Sequence, residues 1–153
     1  MIRGYLIALC SGSALDVNTK NFTLFNLIEN LSLPAEALGQ TLPFEFHFYC
    51  RIDPADRGAE FEMRVVRVDE KGATDPGEPL PVRTGDRGHF RLRVTAFRLP
   101  RAFGQHLLRV EWRKKGEERW TADPIEWPLS VAPLAGAKAT GAGATTPRDA
   151  QPS

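Results

Sequence analysis

The sequence predicts an all-β fold, a two-sheet antiparallel sandwich of seven to eight strands. Apolar and polar residues alternate in short runs, and clusters of Gly, Pro, Asn and Asp interrupt them about every 8–12 residues. Almost no stretch keeps the 3.6-residue period of a helix. Strands that bury one face each are satisfied by packing two sheets against one another.

The first strand is read over Ile2–Cys10, followed by a turn region over Ser11–Asn21. Phe22–Leu33 comes next, with Phe22, Leu24, Asn26 and Ile28 on one face. Leu27 and Leu31 break the alternation, which predicts a bulge or cover on both faces. Residues 34–39 make one helical turn, opened by Pro34 and closed by Gly39. The clearest strand is Phe44-Glu45-Phe46-His47-Phe48-Tyr49, because a strand stacks the three phenylalanines into one wall where a helix would scatter them. After a turn at residues 53–58, Phe61, Met63 and Val65 point inward, and Val66 and Val68 switch phase as at a bulge. Pro79 and Pro81 place the strand at residues 80–84 on an edge. Phe90–Val94 alternates again, and Leu108, Val110 and Trp112 form the next inner row opposite Arg109, Glu111 and Arg113. Residues 127–131 close the domain, with Pro128 marking an edge, and Trp120 and Trp127 flank the last turn. One domain over residues 1–133 precedes a tail at 134–153, whose Ala, Gly, Thr and Pro without periodicity predict disorder.

At 153 residues, 42% hydrophobic and 25% charged, the chain can bury a core without staples. The net charge of +1 gives no global field toward nucleic acid or membrane. The charge is unevenly spread, with 7 basic against 12 acidic residues over 1–82 and 10 against 2 over 83–115. No apolar run of about 20 residues exists to span a bilayer. The apolar stretch after Arg3 is shorter than a signal core, and Leu9 before Cys10 does not suit lipoprotein processing, so a cytoplasmic location is expected. Cys10 and Cys50 are too few for a disulfide scaffold and read as reduced, buried small hydrophobes.

In Pro100-Arg101-Ala102-Phe103-Gly104-Gln105-His106 the spacing resembles the Pro-x-x-x-Gly-x-aromatic corner of immunoglobulin-like sandwiches, with His106 in the aromatic slot. The strand–turn–strand of Tyr5–Leu33 and the Pro43-Phe44 entry add to this. Together the layout resembles a family of uncharacterised bacterial proteins of similar length, a domain-of-unknown-function family. The resemblance covers about residues 1–131, implies an immunoglobulin-like sandwich and implies no activity.

No catalytic or metal motif stands in the sequence. His47, His89 and His106 lack paired ligand spacing, Ser11-Gly12-Ser13 lacks the nucleophile-elbow pattern, and neither a cofactor nor a metal is expected. The candidate binding residues are Arg91, Arg93, Arg109 and Arg113, with His47 and Tyr49. If the strands at 90–94 and 107–113 pair, the four arginines share one solvent face. That face is expected to be neutralised by carboxylates such as Glu111, Glu45, Glu60 or Glu62, and it lacks interleaved aromatics for base stacking. His47 is expected to be exposed, beside Tyr49. The leading reading is a small non-enzymatic binding or accessory module that engages another protein through a sheet face or edge. The alternatives are a nucleic-acid-binding module using the arginine face, and a hydrolase with an unrecognised carboxylate pair.

Overall fold

The aromatic strand that the sequence marks most clearly is a central strand of the protein, flanked by neighbours on both sides. The computed structural model describes residues 1–19 and 21–135. In chain order the extended segments are β1 (Ile2–Leu15), β2 (Phe22–Leu27), β3 (Asn30–Leu33), β4 (Thr41–Leu42), β5 (Glu45–Ile52) and β6 (Glu60–Asp69). They continue as β7 (Thr74–Pro76), β8 (Leu80–Arg83), β9 (His89–Val94), β10 (Phe97–Arg98), β11 (Gly104–Lys114) and β12 (Thr121–Pro133). The front sheet runs β2-β1-β5-β9, and the back sheet runs β3-β12-β11-β6-β7 with β8 also on β6. All pairings are antiparallel except β3 on β12. A two-residue ribbon of β4 and β10 bridges the sheets at one end. Short 3₁₀ turns occupy Ala35–Ala37 and Pro54–Asp56, where Pro34 and Pro54 start the turns. Among the described residues no helix is long and apolar enough to cross a membrane.

The two inner faces meet in one core. Ile7, Leu9, Phe46, Phe48, Cys50 and Leu92 from the front sheet face Phe61, Met63, Leu108, Val110, Leu129 and Val131 from the back sheet. Phe97 closes one end, its ring stacked 6.1 Å from Phe46. The resembled corner also forms. Gly104 adopts φ +126°, a conformation that disfavours a side chain. His106 is buried, and its Nε2 lies 2.9 Å from the Ala102 carbonyl, to which it donates.

Four expectations are corrected. Phe22–Leu33 is not one strand: β2 pairs with β1 in the front sheet and β3 pairs with β12 in the back sheet. Leu27 and Leu31 break the alternation because the chain changes sheets between them. No bulge sits at Val66 or Val68, since β6 keeps one unbroken register with β11. Instead Arg67 continues the inward row at the sandwich end, donating from Nε to Asp75 at 2.9 Å and to the Arg98 carbonyl at 3.2 Å. The edge expected at Pro128 is narrower than the strand, because β12 pairs with β11 alone as far as Leu129 and β3 covers it from Ser130 onward. Finally β9 and β11 lie in different sheets, so 90–94 and 107–113 do not pair. The tail predicted at 134–153 lies, from residue 136, outside the described residues.

Two bulges shape the functional side. In β1 the register slips between Gly4 and Leu6, leaving Tyr5 as an extra residue; bulges re-aim side chains, and both Tyr5 and Leu6 are exposed. In β12 a slip opposite Arg109–Glu111 turns buried Asp123 toward Gly4, whose N–H it accepts at 2.7 Å. A Cβ on Gly4 would lie 2.5 Å from the Phe48 ring and 2.7 Å from Asp123, so only glycine fits this join between the sheets.

Candidate ligand groove on the front sheet

The front sheet's outward row on β5 is Glu45, His47 and Tyr49. Opposite them across β1 stand Cys10, Ala8 and Leu6, and across β9 stand Arg93 and Arg91 next to His47 and Tyr49. The far half of β1 pairs with β2 rather than β5, and Asp16 fixes the turn by accepting the Asn18 and Thr19 N–H groups. This hairpin brings Phe22 back over the sheet, with its ring 5.4 Å from that of His47 and 6.5 Å from that of Tyr49. His47 is therefore fully buried, not exposed as its place in an alternating strand implies. The Arg91 guanidinium stacks 4.0 Å above Phe22, and the Tyr5 ring lies 6.2 Å from Tyr49.

Beside the hairpin a groove of about 980 Å³ opens, lined by Tyr5, Leu15, Phe22 and Tyr49 and by a basic rim of Arg83, Arg87 and Arg91. Small-ligand clefts usually span about 300–1,000 Å³. Among the described residues none of those three arginines has a carboxylate within 4 Å. Asp86 is the one carboxylate among the residues that line it.

Under the hairpin lies a polar cluster. Glu45 accepts from Arg93 through Nε at 3.1 Å and a terminal nitrogen at 2.6 Å, from His47 Nε2 at 2.9 Å, and from the Ser13 hydroxyl. The Arg93 bonds lead in holding the Glu45 carboxyl at about 2, against the opposing cost of burial. Burial pushes His47 below its ordinary value, opposed by its bond to Glu45, so its ring is neutral at pH 7. Burial likewise raises the Cys10 thiol, and raises Cys50 to about 12. Both cysteines are buried and unpaired, and a raised thiol value disfavours the nucleophilic thiolate.

Four of the six sequence-derived candidates, His47, Tyr49, Arg91 and Arg93, thus come together on the front sheet. Arg109 and Arg113 do not join them, because β11 pairs with β6 and β12 in the back sheet. There the carboxylates expected on a structural face are present. Arg64 and Arg109 share Glu111 at 2.7 and 2.9 Å, and Arg113 meets Glu62 at 2.6 Å. Tyr5, Phe22 and Cys10 escaped the sequence reading as site residues, whereas Glu45, expected among the carboxylates that neutralise the arginines, does pair with Arg93. The convergence of Tyr5, Phe22 and Cys10 depends on the Tyr5 bulge and the hairpin fold-back, neither of which has a local signature, while Glu45 shares the outward row of His47.

No protein-family model and no curated protein matches the sequence. Among solved structures, the ASH/PapD-like domain of human CEP192 (PapD-like domain 7) is 15% identical, over 70% of this chain and 82% of that chain, with a TM-score of 0.28. The fold assignment rests on the two sheets themselves.

Proposed function

We propose that the protein is a small non-enzymatic binding module that takes an extended segment of a protein partner along β2 and the adjoining groove. The observation that supports this is where the apolar surface lies. Of ten large hydrophobic side chains that stay exposed among the described residues, Leu15, Val17, Phe25 and Leu27 sit on the β1–β2 hairpin, and Tyr5 and Leu6 sit on the bulge of β1. Gathered apolar surface marks interaction sites. β2 is also the terminal strand of its sheet, with one side of its backbone unpaired. An added strand would satisfy those groups while its side chains cover Phe25 and Leu27. The basic rim favours acidic residues in the same segment.

Selection from a peptide display library tests this. Enriched peptides should combine apolar and acidic residues, slow amide exchange in β2, and bind Phe25→Lys at least about tenfold more weakly, the change a hot-spot anchor produces. Peptides that bind Phe25→Lys equally well, or leave β2 exchange unchanged, would overturn the proposal.

A second reading has one specific observation in its favour. Tyr5, Phe22 and Tyr49 stand beside Arg91, so the front sheet has the aromatics that the arginine face lacked in sequence, and single-stranded nucleic acid binds by such stacking. Retention on single-stranded DNA that falls steeply with salt and is lost in Arg91→Ala would favour it over the peptide reading. No retention at physiological ionic strength is expected.

A further inference from the structure

We infer that Cys10, Glu45 and His47 form a site for one divalent cation of the zinc class, beneath the β1–β2 hairpin. Their ligand atoms, a sulfur, a carboxylate oxygen and an imidazole nitrogen, all lie within 4.8 Å of one another. Strand pairing produces this grouping. Cys10 is directly opposite Glu45 across β1 and β5, and His47 is two residues further along the same outward row. Cys10 and His47 are completely buried. Thiolate, imidazole and carboxylate are the donor types zinc takes, and three protein donors leave a fourth position open.

The hydrogen bonds of the cluster use up Glu45 but not its neighbours. Cys10 donates one bond, to the Gly12 carbonyl at 3.3 Å, and its sulfur lone pairs remain unused. His47 bonds Glu45 through Nε2 alone, and its Nδ1 is buried with no partner among the described residues. A neutral imidazole is the form that binds metal. The thiol must lose its proton, so each ion bound releases one proton as the metal–sulfur bond forms. In a tetrahedral zinc site the donors stand about 3.3–3.8 Å apart, from bond lengths near 2.0–2.3 Å. From a spread of up to 4.8 Å the widest pair therefore closes by about 1 Å on binding, while Glu45 and His47, now hydrogen-bonded at 2.9 Å, move slightly apart. The groups facing the site include one cation in contact, Arg93, which occupies Glu45 with two N–H groups. The Arg93 side chain is 41% exposed and can swing into solvent. Guanidinium and metal therefore compete for one carboxylate, and the arginine sets the affinity.

Cobalt(II) titration of the full chain is the test. One equivalent should raise a thiolate-to-cobalt charge-transfer band, release a proton and be displaced by zinc. Cys10→Ser should abolish the band, and His47→Gln should weaken binding at least about tenfold, since even outer partners of a metal site contribute 10–100-fold. Cys50→Ser should leave the band intact, and Arg93→Gln should tighten binding. Circular dichroism keeps misfolded variants out of the comparison, and Cys10→Ser, which exchanges sulfur for oxygen, carries the test if His47→Gln does not fold. Absence of a band at millimolar cobalt, or a band that survives Cys10→Ser and vanishes in Cys50→Ser, would overturn the site. Unchanged affinity in Arg93→Gln would overturn the competition.

Discussion

The outer faces of the two sheets carry similar residues and treat them oppositely. On the back sheet Glu111 sits between Arg64 and Arg109, and Glu62 takes Arg113, so the basic strand β11 is neutralised by carboxylates on itself and on β6. Arg64 and Arg113 also enclose Trp120, at 4.1 and 4.4 Å from its ring. On the front sheet Arg93 is neutralised by Glu45, but Arg91 rests on an aromatic ring and keeps its N–H groups free of carboxylates. The hairpin makes this difference. It covers His47 and Cys10 while leaving a rimmed groove beside them. A saturated ionic face offers nothing to a ligand, whereas an arginine held only by a ring is positioned for an incoming anion.

Both faces rest on the same inner wall, which gives the largest expected effect. Phe46 is fully buried and stacks on Phe97. Phe46→Ala should cost about 3–5 kcal/mol by denaturant unfolding, as for other core aromatics. A loss below about 1 kcal/mol would mean that the front sheet is inverted and that the row of Glu45 and His47 faces inward.

The faces should also separate in acid. The Glu45 carboxyl is held at about 2 in the folded protein against an ordinary 4.5. A depressed acid stabilises the fold above its unfolded value, and that stability is lost as the pH falls from 4.5 through 2. His47 acts in the same direction at higher pH. Its folded value lies below the ordinary 6.5, so the unfolded chain takes the proton first and stability declines as the pH drops below 6.5. Glu45→Gln should remove the lower limb of a stability–pH curve and leave the upper limb near His47. A curve unchanged by Glu45→Gln would place the acid sensitivity elsewhere and undo the contrast between the faces.

The sandwich was legible because its signal is local. Phe46 and Phe48, Phe61 and Met63, and Leu108 and Val110 declare their inward rows by alternation alone. The corner was legible for the same reason, since Gly104 and His106 are two residues apart. Strand order was not. Arg91 and Arg113 occur close in sequence and on similar strands, yet nothing in either strand says that the chain crosses to the other sheet between them. The burial of His47 was illegible on similar grounds, because its cover comes from Phe22, which reaches it only through a fold-back of β2. Alternation reports which side of a strand a residue takes and is silent on what lies above it.

Effects on the back face should be small. Arg113 has a hydrogen-bonded ion pair with Glu62 and a ring contact with Trp120, both partly open to solvent. Arg113→Ala should lower unfolding stability by about 1 kcal/mol or less, the range for exposed pairs of this kind. It should leave peptide binding unchanged, and a tenfold loss of binding would move the ligand surface to the back sheet.

Arg91→Ala should disturb stability least and binding most for its size. Its one strong contact is the Phe22 ring at 4.0 Å, and the residue is exposed, so an effect of about 0.5 kcal/mol on folding is expected. Removing it leaves no carboxylate unpaired, unlike Arg93→Ala, which would strip Glu45 of two hydrogen bonds. An anionic side chain in the groove would lose its charge-assisted partner, worth about 1.5–3 kcal/mol for a hydrogen bond to a charged group. Calorimetry with a selected acidic peptide should therefore show about tenfold weaker binding or more, with the dependence on salt reduced. Equal loss of folding stability and binding would mean that Arg91 only pins Phe22 over His47, and the front face would then be as saturated as the back.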